Sequence, residues 1–217
     1  MPAPSAPDGP PGPGGEHYFS TSPTSGSRPD LVRLTLPDLT LDLTTDRGVF
    51  SPTRIDPGTK LLLDEIRGRT PEVGHRRRVL VDLGCGYGAI AVVLASRHPD
   101  DHVLAVDVNE RARDLCAANA ERLDLDVEVC APQDVAGSLR IDHLVSNPPI
   151  RIGKQALRAL LAEWLDRLDD RGCAHLVVRR QLGADSLAAW LVERGHAVER
   201  LRSRQGYRVL EIGPKHP

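Results

Sequence analysis

The stretch from Val79 to Gly88 constrains the fold of this chain more than any other part of the sequence. A short apolar run, Val79–Asp82, predicts a strand, and Ala89–Arg97 predicts a helix. Between them lies Asp82-Leu83-Gly84-Cys85-Gly86-Tyr87-Gly88, whose glycines allow a tight turn and a close approach of ligand to backbone. The amino end of the following helix favours an anionic group. This order predicts a parallel α/β sheet that binds a nucleotide-like ligand.

An acidic residue closes the second predicted strand. Asp107 ends the run Val103–Asp107, 23 residues after Gly84. From that position a carboxylate can accept hydrogen bonds from both ribose hydroxyls of an adenosine. Gly84-x-Gly86-x-x-Ala89 also satisfies the dinucleotide fingerprint, so a nicotinamide oxidoreductase stays open as an alternative. The position of Asp82, suited to a methionine ammonium group, and the third glycine, Gly88, favour S-adenosylmethionine instead.

The remaining pattern predicts a parallel, helix-covered sheet with an antiparallel hairpin at one edge. Because Arg202–Gly206 is too short for a crossover helix, the last two strands should pair antiparallel. The predicted strands after Asp107 are Val127–Cys130, His143–Ser146, Ala174–Val178, Ala197–Leu201 and Tyr207–Ile212, and the predicted helices are Asn109–Arg122 (with Asn109 as N-cap), Gln155–Leu168 and Ser186–Arg194.

The N-terminal part is predicted to be an extension of this sheet domain. Leu31–Thr35 and Leu39–Leu43 alternate apolar and polar residues as a hairpin does, and Thr59–Ile66 follows Pro57 as a short helix. We therefore expect three regions: a Pro- and Gly-rich tail over residues 1–16, the hairpin and helix extension over 17–70, and the main domain over 71–217.

Composition limits the location and the binding partners that we expect for the protein. The tail has neither the basic start nor the apolar core of a signal peptide, and no apolar run approaches the roughly 20 residues of a membrane span, so we expect a cytoplasmic protein without a membrane partner. The four cysteines stand singly and the eight histidines show no ligand spacing, which predicts no metal site. The net charge of −2 means that any contact with nucleic acid must rest on local basic groups.

A second motif follows the fourth parallel strand. Asn147-Pro148-Pro149-Ile150 stands at the carboxyl edge, where ligands of open α/β sheets bind. The prolines stiffen the segment and hold Asn147 extended, so that its side-chain oxygen and the carbonyl of Pro148 can face the cleft. Two such acceptors favour a pyramidal exocyclic amine, whose lone pair is then available to attack a methyl group. The motif predicts N-methylation.

With both motifs, the chain resembles the small-domain methyltransferases, particularly the family that methylates guanine N2 in small-subunit ribosomal RNA. The resemblance runs from about His17 to Ile212 and implies a Rossmann-like class I methyltransferase fold of seven strands. Its further elements are His17-Tyr18-Phe19-Ser20, Thr45-Asp46-Arg47-Gly48-Val49-Phe50-Ser51, Val106-Asp107-Val108-Asn109-Glu110, Arg151 with Gly153-Lys154, and Gly206-Tyr207.

The resemblance also implies roles for individual residues. Asp82, Gly84, Cys85 and Gly86 belong to the loop at the methionine part of S-adenosylmethionine, Asp107 binds its ribose, and Val108 and Asp134 lie near its adenine. Phe50 borders the cofactor or the target base, and Asn147, Pro148, Pro149 and Ile150 hold the target amine. At the same edge, Arg151, Lys154 and Arg179 could meet RNA phosphates. Arg76-Arg77-Arg78 is expected on the opposite edge, facing solvent.

Several alternatives stay open from the sequence. Enzymes that methylate adenine N6 or protein glutamine N5 use the same acceptors but usually carry an aromatic residue where Ile150 stands, so Ile150 favours guanine. A non-catalytic RNA-binding module of the same fold is disfavoured by the intact Asp82, Asp107 and Asn147. We expect an RNA partner, ribosomal RNA or the small ribosomal subunit; the oligomeric state cannot be predicted.

Overall fold

A central sheet with helices on both faces carries the site. The computed structural model describes residues 26–72, 74 and 76–215. Two strands precede the sheet, β1 (Asp30–Thr35) and β2 (Thr40–Thr45), and helix α1 (Pro57–Glu65) follows them. The other elements are β3 (Val79–Leu83), α2 (Ala89–Arg97), β4 (His102–Val106), α3 (Glu110–Arg122), β5 (Glu128–Cys130), β6 (Ile141–Ser146), α4 (Lys154–Leu165), β7 (Leu168–Arg179), α5 (Ala184–Glu193), β8 (His196–Arg204) and β9 (Tyr207–Lys215).

The strand order of the sheet is β5-β4-β3-β6-β7-β9-β8, with β3 to β7 parallel and β9 antiparallel to both of its neighbours. The predicted fold class, a seven-stranded mostly parallel sheet with a terminal antiparallel hairpin and an N-terminal hairpin, is therefore confirmed. The chain leaves β3 toward β4 on one side and returns to β6 on the other. Ligands of open α/β sheets bind at the carboxyl ends of strands at such a point of reversal.

Apolar side chains on the two faces of the sheet form separate cores. One face packs Leu62 and Leu63 of α1 and much of α2 against β3 and β4, and the other packs Trp164 and Leu161 of α4 and most of α5 against β6 and β7. Because α1 belongs to the first core, the N-terminal extension is packed onto the sheet. The boundaries predicted at residues 16 and 70 stay predictions. The tail and His17–Ser20 lie outside the described residues.

Two expectations about local structure are wrong. Leu168 was expected to end the fourth helix, but α4 ends at Leu165 with Asp166 as C-cap, and Leu168 begins the long strand β7. Apolar spacing alone placed Leu168 on the helix, since it lies three residues after Leu165. In β7, Gly172 is packed so closely that a Cβ atom there would lie 2.5 Å from the carbonyl oxygen of Ile141.

The basic run at the start of β3 is not simply solvated. Arg76 donates hydrogen bonds to both carboxylate oxygens of Asp142, which is fully buried at the start of β6. Arg78 forms an ion pair with the buried Asp101 at 2.6 Å. Only Arg77 pairs with a highly exposed partner, Asp126. The expectation of solvated arginines is corrected: two of them anchor buried carboxylates at the amino edge of the sheet.

Within the described ranges, no helix has both the length and the apolar character needed to cross a membrane.

Candidate active site

A cavity of about 430 Å³ opens at the carboxyl edge of the sheet, within the range of roughly 300–1,000 Å³ that is typical of small-ligand sites. Its floor comes from the segments that follow β3, β4 and β6, which contribute Gly84, Asp107 and Asn147. The N-terminal segment between β2 and α1 forms one wall, and Arg179, Leu182 and Tyr207 form another. The two motifs that the sequence singled out therefore face one space.

The glycine loop is tied to the neighbouring strand by its own backbone. The N–H groups of Gly84 and Cys85 both donate to the carbonyl oxygen of Val106, at 2.8 and 3.0 Å. Gly88 has a φ of 92° and stands directly before α2; a Cβ atom there would lie 2.7 Å from Sγ of Cys116. Since only glycine combines this backbone conformation with this close approach, the loop is fixed in the shape that lets Gly84 and Gly86 line the cavity.

Asp107 lines the cavity and organises its surroundings. One carboxylate oxygen accepts from the N–H of Gly86 at 2.9 Å, and the other accepts from the N–H of Asn109 at 2.9 Å. Burial raises the pKa of Asp107, while these two hydrogen bonds oppose the increase. Each oxygen keeps a further lone pair, so the carboxylate can still accept two hydroxyl groups of a ligand.

Asp82 directly precedes the glycine loop and is not among the residues that line the cavity. Its side chain is fully buried at the end of β3, and one oxygen accepts from the N–H of Ala91 at 2.9 Å. The other oxygen, Oδ1, has no hydrogen-bond partner within the described part of the chain. Burial, with a contribution from Asp107, raises the pKa of Asp82 to about 8. A buried acceptor without a donor is costly, so this oxygen is suited to a cationic donor.

The segment Asn147–Ile150 lines the cavity beside the glycine loop, where a Cβ atom at Gly84 would lie 3.9 Å from Cδ of Pro149. The side-chain NH₂ group of Asn147 donates to Oδ1 of Asp56 and to Oγ1 of Thr59, each at 3.0 Å. The carbonyl oxygen of Pro148 accepts from the N–H of Ile150 at 2.8 Å, so one of its two lone pairs is already used. The amide oxygen of Asn147 has no partner among the described residues and is the free acceptor of this segment.

Exposed apolar side chains surround the cavity. Phe50, Val108 and Leu182 are 46%, 39% and 52% exposed, and all three line it. Large apolar residues that stay exposed around a concave site mark a surface for an apolar ligand. The arrangement is suited to flat rings such as nucleobases.

Three arginines on the cavity wall have no carboxylate partner in the described part of the chain. They are Arg54, Arg151 and Arg179, and all three are exposed. Arg179 lies over the ring of Tyr207, with its guanidinium carbon 4.9 Å from the ring centroid. Their positive charges are therefore available to an anionic ligand at the mouth of the cavity.

The structure brings most of the predicted site residues together, with four exceptions. Asp82 lies behind the wall, Cys85 borders a small side pocket, and Asp134 and Lys154 are exposed outside the cavity lining. A hydrogen bond with Cys116, together with burial, raises the pKa of the Cys85 thiol well above its ordinary value. Sequence reasoning missed Asp56, Thr59, Tyr207, Arg54 and Leu182, which reach the site from elements distant along the chain.

A row of hydrogen-bonded polar side chains lies within the sheet, and none of them is among the residues that line the cavity. His143, Cys173 and His175 each place a potential metal-ligand atom within 4.8 Å of the others. Because a carboxylate only accepts, His175 Nε2 donates to Glu211 at 2.9 Å, and its Nδ1 then accepts from Nε2 of His143 at 2.8 Å. These hydrogen bonds account for the cluster without an ion. The expected absence of a metal site stays a prediction.

The sheet order, the glycine loop and the Asn147 segment together define a Rossmann-like methyltransferase fold. The model of the family described as "Methyltransferase small domain" matches residues 40–211, and the chain therefore belongs to that family. An uncharacterized protein of Bacillus subtilis, YbxB, is 31% identical over 200 residues, which cover 90% of this chain and 97% of that protein.

Other relatives are named for ribosomal RNA. Ribosomal RNA small subunit methyltransferase C of Hahella chejuensis is 34% identical over 139 residues, 64% of this chain and 37% of the relative. The same-named protein of Pseudomonas aeruginosa is 35% identical over 153 residues, 66% of this chain and 43% of the relative. The matches thus span less than half of those two longer proteins.

A solved structure of similar fold is the T. thermophilus 16S rRNA N2 G1207 methyltransferase in complex with AdoMet and guanosine. It superimposes with a TM-score of 0.75 at 24% identity, over 86% of this chain and 51% of that chain. At this identity the likeness concerns the fold alone.

Proposed function

We propose that this protein transfers a methyl group from S-adenosylmethionine to an exocyclic amine of an RNA base, with guanine N2 of ribosomal RNA as the best-supported acceptor. The observation that carries the proposal is the free amide oxygen of Asn147. Asn147 lines the cavity that the glycine loop also lines, and its NH₂ group is already occupied by Asp56 and Thr59, which leaves the amide oxygen for a ligand.

The residues present fit the proposed cofactor. Asp107 has lone pairs for the ribose hydroxyls, and the exposed side chain of Val108 next to it offers a surface for the adenine. The unpartnered oxygen of Asp82 matches the methionine ammonium, reached directly or through a water molecule. An ammonium at that place would supply both the missing donor and the opposite charge, which would favour the ionised form of Asp82.

The residues that follow β6 would then prepare the acceptor. When bound, S-adenosylmethionine supplies an electrophilic methyl group, so the protein's main task is alignment. Asn147 and the remaining lone pair of Pro148 accept the two amine hydrogens, which turns the nitrogen lone pair toward the methyl position. The nitrogen would take the methyl group as the bond between that group and the sulfonium sulfur breaks, with its electron pair left on the sulfur. One of the two amine protons would then pass to solvent at the open side of the cavity.

Two features support RNA as the source of the amine. Phe50 and Leu182 offer apolar surfaces to a base, and Arg54, Arg151 and Arg179 offer unpaired charges to phosphates. Guanine is favoured over adenine or glutamine because Ile150 replaces the aromatic residue usual for those acceptors. The names of the ribosomal RNA relatives, and the guanosine in the T. thermophilus structure, point in the same direction.

The direct test is to incubate the protein with labelled S-adenosylmethionine and, separately, naked small-subunit RNA, assembled small subunits and release factor. N2-methylguanosine in digested RNA, identified by mass spectrometry, is the expected product. N6-methyladenosine or methylated glutamine would assign the other acceptor. Calorimetry with S-adenosylhomocysteine and with NAD provides the second arm. Binding of NAD without binding of S-adenosylhomocysteine would overturn the proposal and indicate an oxidoreductase.

A further inference from the structure

We propose that Asp56 is a positioning residue that sets the orientation of the Asn147 side-chain amide; the inference rests on the proposed function of Asn147. Asp56 precedes α1, 91 residues away from Asn147 along the chain, and the two side chains meet at 3.0 Å. An Asn side chain can present either an acceptor or two donors to a ligand. The partner of its NH₂ group decides which of the two faces the cavity.

The chemistry of Asp56 leaves only one orientation of the amide. Oδ1 of Asp56 accepts from the N–H groups of Gly58 and Thr59, at 2.8 and 3.1 Å, as well as from Asn147. A carboxylate oxygen is negatively charged and has no hydrogen to donate, so it attracts the NH₂ end of the amide and repels the amide oxygen. The hydroxyl of Thr59 accepts a second hydrogen bond from the same NH₂ group. The amide oxygen is therefore the end of the side chain left free for a ligand in the cavity that Asn147 lines.

Asp56 is itself held in place from the far end of the chain. The hydroxyl of Tyr207 donates to Oδ2 of Asp56 at 3.0 Å, and both residues are buried. Burial, together with the charge of Asp56, raises the pKa of Tyr207, so its hydroxyl stays a donor. The ring packs so tightly on the start of α1 that a Cβ atom at Gly58 would lie 2.5 Å from it. Neither carboxylate oxygen can move without breaking a contact.

Loss of the hydrogen bond between Asp56 and Asn147 would slow the chemical step. With Asp56 removed, the amide could rotate and present its NH₂ group to the amine, and two sets of donors would then face each other. The hydrogen bond to Asp56 also polarises the amide and strengthens its oxygen as an acceptor. The expected signature is a lower kcat with little change in cofactor affinity, because the hydrogen bonds of Asp56 go to Gly58, Thr59, Asn147 and Tyr207 and not to the glycine loop or to Asp107.

The test compares Asp56→Ser with Asp56→Asn. Serine keeps an acceptor for the helix N-cap but is too short to reach Asn147, whereas asparagine keeps an oxygen for both. We expect Asp56→Ser to lower kcat at least about tenfold and Asp56→Asn to retain at least about a third of it, with S-adenosylhomocysteine affinity within about twofold in both. Asp64→Ser, about 12 Å farther along α1 by helical rise, is the matched control and should match the parent protein.

A double-mutant cycle separates positioning from a structural role. If Asp56 acts through Asn147, Asp56→Ser causes no further loss of kcat in an Asn147→Ala background. The same fold loss in both backgrounds, or a parental kcat for Asp56→Ser, would overturn the proposal. Should Asp56→Ser fail to fold, Thr59→Val removes the second acceptor without touching the N-cap, and the same cycle applies to it.

A spectroscopic arm needs no substrate. In protein labelled with ¹⁵N-asparagine, the side-chain NH₂ signals of Asn147 are identified by their loss in Asn147→Ala. We expect slow proton exchange in the parent protein and in Asp56→Asn, and fast exchange in Asp56→Ser. If exchange of the Asn147 NH₂ protons depends on Asp56 but the protein transfers no methyl group, the proposed function is refuted and the positioning is not. Equal exchange in the parent and Asp56→Ser would refute the positioning even if methyl transfer occurs.

Discussion

The side chain of Asn147 allows alignment to be separated from cofactor binding. Asn147→Ala removes the proposed acceptor of the amine hydrogens but no hydrogen bond of the glycine loop or of Asp107. We expect turnover to fall roughly 100-fold or more, comparable to the loss of one hydrogen-bonding group from an oxyanion hole, about 2.7 kcal/mol. S-adenosylhomocysteine affinity, measured by calorimetry, should stay within about twofold. Parental turnover of the variant would remove Asn147 from the mechanism.

Asp107 should show the opposite behaviour. Asp107→Ala removes the proposed acceptor for ribose and also frees the N–H groups of Gly86 and Asn109. We expect cofactor affinity to fall about 10- to 100-fold, since hydrogen bonds to a charged group contribute roughly 1.5–3 kcal/mol each. Asp114→Ala, the same change of charge at an exposed position of α3, is the control and should bind as the parent does. Equal affinities of the two variants would exclude the ribose role.

The sequence predicted the residues whose roles are local and missed those whose roles depend on distant contacts. Gly84, Asp107 and Asn147 each follow a recognisable strand, so their position at the carboxyl edge could be deduced from the order of elements. Asp56 and Tyr207 are separated by 151 residues, and nothing in the sequence near either residue indicates that they meet. Because Asp56 stands directly before Pro57, its role as helix N-cap explains its presence locally. Its second role, the contact with Asn147, could not be recognised from the sequence.

Among the elements, the amino ends of β3 and β6 are joined by a buried carboxylate. Asp142 accepts from Arg76 and from the N–H of Val79, and removing Arg76 leaves a buried charge with one hydrogen bond. Arg77, the next residue, pairs with Asp126, which is 80% exposed. We expect Arg76→Ala to lower the midpoint of urea unfolding clearly and Arg77→Ala to leave it nearly unchanged. Equal midpoints for the two variants would contradict the buried role of Asp142.

The boundary between α4 and β7 shows why element limits were harder to predict than element types. Leu157, Leu161 and Leu165 follow helical spacing, and Leu168 continues it. In the fold, Leu168 instead pairs with Ile141 at the start of β6, and a register shift follows along β7. Cross-strand pairing of this kind is decided by residues far away in the sequence, so apolar spacing could not reveal it.

For the molecule as a whole, the buried His143 predicts how stability depends on pH. Burial, together with the neighbouring His175, His98 and Arg78, lowers the pKa of His143 well below its ordinary value. Below about pH 6.5 the His143 ring therefore takes up a proton in the unfolded chain but stays neutral in the folded protein. The free energy of unfolding should fall as the pH drops below about 6.5, by up to about 1.4 kcal/mol per pH unit from this residue.

Urea unfolding between pH 7.5 and 5 checks this prediction, with His143→Asn as the comparison. The variant lacks the titrating ring, so its stability should decline less steeply over the same range. His98 and His196, whose pKa values burial also lowers, titrate in both proteins, and the difference between the two slopes isolates His143. Parallel slopes would mean that His143 takes up its proton in the folded state.

The N-terminal extension is joined to the sheet domain more firmly than its separate position in the sequence indicates. Asn119 of α3 is fully buried, accepts from the N–H of Thr44 and donates to the carbonyl oxygens of Thr44 and Tyr87. The side chain of Asn109 likewise donates to the carbonyl oxygen of Gly48. These contacts hold the wall that carries Phe50 against the loop that carries Asp107. The sequence predicted an extension attached to the sheet domain, but not the contacts that attach it.

The meeting of Asp56, Asn147 and Tyr207 also determines when, during synthesis, the protein can first work. A ribosome makes the chain from its amino end, and strand β9, which carries Tyr207, enters the sheet between β7 and β8. Until that strand has emerged, the carboxylate beside Asn147 lacks one of its donors and the cavity lacks part of a wall. A nascent chain would therefore hold both recognisable motifs and yet be inactive, and methyl transfer would begin only after strand β9 has emerged and paired with β7.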